Sequence, residues 1–142
     1  MGTQQILLIV LSVIIVGVAI AVGITMFRNQ AYNSNKTAVA GELQQYASQV
    51  VQWYKTPVSQ GGKGSPATFA YAPGADTLGT FIGFGGATTT TDTGTYTITT
   101  ATSAPQVTIT GVGKEVKNGK SPKGVTGISF PNCEIATTST DQ

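Results

Sequence analysis

Lys63 lies in Gly-Gly-Lys-Gly-Ser at residues 61–65, the point where the sequence comes nearest to a phosphate-cradling loop. Such a loop needs Ser or Thr directly after the lysine to hold magnesium, and a glycine five positions ahead of the Gly-Lys pair. Here Gly64 follows Lys63 and Pro57 occupies the first glycine position, so the pattern fails at both ends. A second glycine cluster, Gly83-Phe84-Gly85-Gly86, lacks the preceding strand and following helix of a dinucleotide site and reads as a turn.

Histidine is absent and Cys133 is the single cysteine. That removes the common general base, most transition-metal ligand sets, haem attachment and any disulfide within one chain. Cys133 then reads as a small buried apolar residue. The acids Glu42, Asp76, Asp92, Glu115, Glu134 and Asp141 fit neither a calcium loop nor a catalytic carboxylate pair. No catalytic, cofactor-binding or metal site is expected, and the chain does not read as an enzyme.

The net charge of +2 arises from few charged residues. Lys114, Lys117, Lys120 and Lys123 are spread through Gly, Asn and Ser with Glu115 among them, which reads as a solvated loop face. Nucleic-acid binding calls for a denser basic stripe with interleaved aromatics, so no specific site of that kind is evident. Asn35-Lys36-Thr37 matches the N-glycan acceptor pattern, making Asn35 a possible glycosylation site, although a helix is a poor acceptor surface.

What positions these residues is dominated by the N-terminal third. Residues 6–27 carry no charge and are long enough to cross the roughly 30 Å hydrocarbon core of a bilayer as a helix. The apolar run continues without a cleavage-like break into a stretch in which Tyr32, Val39, Leu43, Tyr46, Val50 and Trp53 recur at helical spacing, with polar residues between them. Pro57 is the stop. Together the halves predict one helix over residues 1–56, roughly 80 Å long at 1.5 Å per residue. Gly17 and Gly23 interrupt it with no proline, so it is expected to be continuous. The aromatics Phe27, Tyr32, Tyr46, Trp53 and Tyr54 lie along it, and packing rather than a conducting stack accounts for their spacing.

Residues 57–142 are expected to form a Gly- and Thr-rich loop followed by one small domain, with a core completed by the helix stripe. Phe69, Tyr71, Phe81 and Phe84 are candidate pins in the loop. Tyr96 and Ile98 alternate with threonines, as do Val107 and Ile109, and the intervening Thr-Ser-Ala-Pro predicts a hairpin. Asn118-Gly119 predicts a second turn, with Pro122 weakening regular strand beyond it. Two further segments complete three or four antiparallel strands, with Ile128, Phe130 and Ile135 as inward residues. The fold class is therefore α+β, with a long helix, apolar in its first half and amphipathic in its second, packed on a small antiparallel sheet. Threonine replaces the usual charges on the outer surface, giving an uncharged exterior on which copies can sit close together; O-glycan attachment is the other reading of that composition.

Arg28 and Lys36 follow the apolar run and no base precedes it, which by the positive-inside tendency would place the Thr-rich domain in the cytoplasm. A basic leader cut from a precursor would reverse that expectation.

The apolar N-terminal helix that turns amphipathic after about residue 28, the Gly-rich loop and the small antiparallel sheet together resemble the type IV pilins and the related pseudopilins of type II secretion. The specific part of the resemblance is confined to about the first 54 residues. It implies a ladle-like fold and a processed N-terminus at Met1, where that family usually has a methylated Phe. It also places Gln5 at the usually acidic fifth position; Gln5 accepts a hydrogen bond but cannot neutralise a neighbour's amine. The family's C-terminal disulfide is missing here.

On this reading the chain is a structural subunit of a pilus-like surface filament serving adhesion, motility, DNA uptake or cell contact. Met1, Gln5, Ile9, Val13, Val16, Ile20 and Ile24 would then form the assembly surface. Its partners would be copies of itself and, before polymerisation, the inner membrane and an assembly machinery. Other readings are a single-span anchored binding module or a pseudopilin.

Overall fold

The computed structural model describes residues 2–66 and 75–141. Met1, Phe69 and Tyr71 lie outside the described residues.

Helix α1 runs unbroken over Gly2–Lys55, with Gly17 and Gly23 inside it. Its end is capped by the chain doubling back. The Lys63, Gly64 and Ser65 amides donate to the carbonyls of Trp53, Thr56 and Tyr54 at 3.0, 2.8 and 2.8 Å, satisfying acceptors that a helix end leaves open. A 3₁₀ turn over Val58–Gln60 and Gly61 at φ 83° make that reversal. The backbone amides of the glycine loop around Lys63 are thus committed to the helix end and to the turn that follows it.

After a short helix α2 (Ala75–Phe81) come β1 (Thr88–Thr90), β2 (Gly94–Thr100), β3 (Val107–Gly113), β4 (Pro122–Ser129) and β5 (Glu134–Asp141). They form one antiparallel sheet in sequence order. The sheet has five strands rather than three or four: the segment around Ile135 is β5 as expected, running on to Asp141, and β1, three threonines with no apolar alternation, is the strand that the pattern does not show. Pro122 opens β4, a position where its missing N–H breaks no ladder.

Alternation places Tyr96, Ile98, Val107, Ile109 and Ile128 towards α1, and threonines such as Thr97, Thr99, Thr108 and Thr110 on the other face. The core joins those residues to Val39, Leu43, Ala47, Val50, Trp53 and Tyr54 of the helix, and to Leu78, Ile82, Phe84 and Phe130. Tyr54 stacks on Phe130 with centroids 4.2 Å apart, and Tyr46 meets Phe84 and Tyr96 edge-on at 4.9 and 5.2 Å. Tyr46, Trp53 and Tyr54 therefore pack across to the sheet domain, whereas Phe27 lies on the apolar half of the helix and is 75% exposed. Gln106, buried ahead of β3, receives the Phe130 amide at 2.9 Å and donates to the Phe130 carbonyl at 3.3 Å, acting as a substitute ladder rung.

Three inward assignments are corrected. Ile135 is 37% exposed, because β5 is the sheet's edge strand and is exposed along its length. Phe81 is equally exposed while its neighbours Ile82 and Phe84 take the buried places. Cys133 is half-buried in the β4–β5 turn at φ 56° and packs on the core's margin.

Candidate functional site

Two surfaces meet on α1. The first is the apolar half. Gln5, Ile9, Val13, Val16, Ile20 and Ile24 are all exposed, and so is every other residue from 2 to 28. Sixteen large apolar side chains between Ile6 and Phe27 are 50–75% exposed, covering the helix all round rather than in a stripe. The face named from the sequence is therefore part of a uniform apolar cylinder. At roughly 1.5–3 kcal/mol for each such side chain fully removed from water, leaving sixteen wet outweighs the roughly 5–15 kcal/mol by which a domain is stable. This helix is long and apolar enough to cross a membrane.

The second surface is the junction that fixes the sheet to residues 32–54. Tyr32, Val39, Leu43, Val50 and Trp53 are buried there as their spacing predicts, with Tyr46 half-buried. Flanking that apolar seam are two polar clamps that periodicity does not reveal. On one side, Asn35 Nδ2 donates to the Thr93 carbonyl at 2.8 Å and Asn35 Oδ1 accepts from the Glu115 amide at 3.5 Å. Two turns on, Glu42 accepts from the Thr91 and Thr93 hydroxyls at 3.2 and 2.6 Å, and the Tyr96 hydroxyl lies 3.0 Å from Thr93 Oγ1. Asn35 thus has the amide nitrogen a glycan would need tied into the β1–β2 turn, which argues against the acceptor reading.

On the other side, Lys36 Nζ meets Asp141 Oδ1 at 3.0 Å and Gln44 Nε2 donates to Thr137 Oγ1 at 2.9 Å. Thr137 in turn lies 3.0 Å from the buried Thr126 hydroxyl. Eight helix residues rise about 12 Å and four strand residues about 13 Å, so antiparallel β5 matches the helix contact for contact.

The electrostatics follow burial. Tyr96 is pushed up to about 12, first by burial. Burial likewise raises Tyr32, Tyr46 and Tyr54, with the Asp141 carboxylate adding to the effect at Tyr32. Lys36 holds the Asp141 carboxyl below the usual range, with Tyr32 helping. The Tyr32 hydroxyl nonetheless has no well-aligned hydrogen-bond partner among the described residues.

Among the described residues no group of three or more His, Cys, Asp or Glu is placed to hold a metal ion. The geometry therefore offers a closed sheet-and-helix unit carrying one uncovered apolar rod. The chain matches no protein-family model, no curated protein and no solved structure.

Proposed function

We propose that this chain is a structural, non-catalytic subunit of a type IV pilus-like filament, anchored in the cytoplasmic membrane by residues 6–27 before assembly and displayed on the cell surface afterwards. The observation that carries this reading is the contrast within α1. Its second half is used up in closing the sheet's core, while its first half remains an apolar rod continuous with that unit. Lipid covers such a rod in a membrane; once the subunit leaves the membrane, the same rods of neighbouring subunits must do so.

Contacts repeated along an axis without closing generate an open polymer. The threonine face of the sheet suits its exterior, because it stays wet without the like-charge repulsion that packed copies would otherwise feel. Gln5, exposed near the start of the rod, would supply a hydrogen bond to a neighbouring subunit's N-terminus in place of a charge pair.

Negative-stain electron microscopy of material sheared from cells, with peptide mass spectrometry of the N-terminus, tests the proposal. Thin uniform fibres composed of this chain are expected. Protein confined to the detergent-soluble membrane fraction, with no fibres, would instead mark a monomeric anchored binding module.

A further inference from the structure

The turn joining β3 to β4, residues 114–121, reaches back along α1 to where the apolar run ends. Its tip is a tight turn at Asn118 and Gly119, with φ 54° and 76°, closed by paired backbone bonds between Lys117 and Lys120 at 2.9 and 3.0 Å. Between this tip and the helix is a cleft of about 410 Å³, lined by Ile24, Arg28, Asn29, Val116, Lys117 and Asn118 among others. On the tip's other flank, a second cleft of about 290 Å³ is lined by Tyr32, Lys36, Lys117 and Lys120 and also by the Asp141 carboxylate that Lys36 pairs, so the first cleft is the one without an acid in its lining. Lys117 Nζ sits 6.0 Å from the Tyr32 ring centroid.

The depth of this turn is set by helix geometry. With residues 6–27 filling the hydrocarbon core, the headgroup layer is about 5–7 Å thick on each side, or roughly four residues of helix rise. That layer begins at Arg28, which the turn faces across the first cleft, while the turn meets α1 itself one to two turns further on, at Tyr32 and Asn35. Val116, 61% exposed, shares the first cleft with Ile24 of the apolar run.

Charge is concentrated at the same end. Arg28, Lys36, Lys114, Lys117, Lys120 and Lys123 are six of the eight bases, against Glu42, Asp92, Glu115 and Asp141 nearby. Of these six bases, Lys36 is the one in an ion pair among the described residues.

We infer that the 114–121 turn and Arg28 form a docking site for the phosphate headgroups of anionic membrane lipids, engaged while the chain is anchored and vacated when it leaves the bilayer. Arg28 and Lys117 face the phosphate across the first cleft, Asn29 and Asn118 offer amide donors, and Ile24 and Val116 meet the first methylenes of the lipid. The two cations hold the domain upright at the membrane surface. The inference rests on the membrane-anchored stage proposed above and not on polymerisation.

The test uses the full chain reconstituted in vesicles of phosphatidylcholine alone, and in vesicles in which part of that lipid is replaced by phosphatidylglycerol. A water-soluble amine reagent read by mass spectrometry reports each lysine, with Lys55 at the far end of α1 normalising for orientation. Lys117 and Lys120 should label about fivefold more slowly in the anionic vesicles, the effect expected for one basic residue near such a surface. Added salt should remove the difference, and Lys117→Gln should weaken the protection of Lys120.

Equal Lys117-to-Lys55 ratios in both vesicles would overturn the site while leaving the anchor intact. Equal protection by inorganic phosphate over phosphatidylcholine would show a free-anion site instead. A chain that fails to float with either vesicle would overturn the anchor, and this inference with it.

Discussion

Gly111 and Gly124 face one another across the β3–β4 ladder, directly beneath the helix. A Cβ on Gly124 would lie 2.4 Å from Leu43 Cδ1; one on Gly111 would lie 2.6 Å from the Tyr96 ring and 3.1 Å from Val39 Cγ1. Two adjacent missing side chains make the trough in which the helix stripe rests. This allows a small sheet to bury Val39 and Leu43 almost completely.

The two positions should therefore respond differently to alanine. Gly111→Ala strikes a buried ring and should cost about 1–3 kcal/mol, as overpacked cores do. Gly124→Ala meets the far end of a flexible leucine and should cost less, with Leu43→Val restoring most of the loss. Thermal melts of the full chain in detergent, arranged as a double-mutant cycle, check this; additive Leu43 and Gly124 effects would refute the contact.

Asn35 holds the β1–β2 turn and the start of the β3–β4 turn with a single amide. Asn35→Ala should cost about 1–3 kcal/mol, because the Thr93 carbonyl and Glu115 amide lose their partner. The peptide containing Asn35 should also be unmodified in material from cells, which intact-mass analysis of that peptide would establish.

The helix was legible in the sequence because its two halves obey different simple rules, unbroken apolarity and then a period set by 3.6 residues per turn. Tyr32, Val39, Leu43, Val50 and Trp53 are buried as that period requires. Pattern could not reveal what holds the sheet in register on the helix. Asn35, Lys36, Glu42 and Gln44 look like ordinary solvated helix residues until Thr93, Asp141, Thr91 and Thr137 arrive from 49 to 105 positions away. β1 is similarly hidden, since it is three threonines with no apolar residue to mark a face and its place is fixed by its pairing with β2.

Alkaline stability should be governed by the buried phenols. Tyr96, pushed up to about 12, has a folded value above its unfolded value of roughly 10. Its contribution is fully present below the unfolded value and is lost as pH rises through the folded one. Tyr32, Tyr46 and Tyr54 shift in the same direction. Tyrosinate absorbance should therefore rise late and together with loss of the fold; early, non-cooperative ionisation would contradict the packing.

The acid side belongs to Asp141. Its folded value is depressed, chiefly by the Lys36 hydrogen bond, so the contribution exists above the unfolded carboxylate value and disappears as pH falls through the folded one. Lys36→Met should lower the melting temperature slightly at neutral pH, as expected for an exposed pair, and should match the unmodified chain in strong acid. A gap between the two that persists undiminished at low pH would mean Lys36 acts through packing alone.

Val16 sits at the middle of residues 6–27, touches nothing in the sheet domain and is 57% exposed. Val16→Asp should therefore leave the sheet's stability unchanged while introducing a carboxylate wherever the rod is covered. At the centre of a bilayer that substitution costs about 2.5–3.5 kcal/mol on insertion scales, and the penalty recurs for every subunit added to a fibre core. Fibres in sheared material should fall by about a hundredfold, since each 1.4 kcal/mol is tenfold in an association constant. Thr99→Asp, on the outer face of β2, adds the same charge without touching the rod and should leave fibre yield close to normal. Comparing shear fractions of the two variants by quantitative mass spectrometry, with membrane-fraction levels as the denominator, separates failed insertion from failed assembly. Normal fibre yield from Val16→Asp would mean that this rod does not form the filament core.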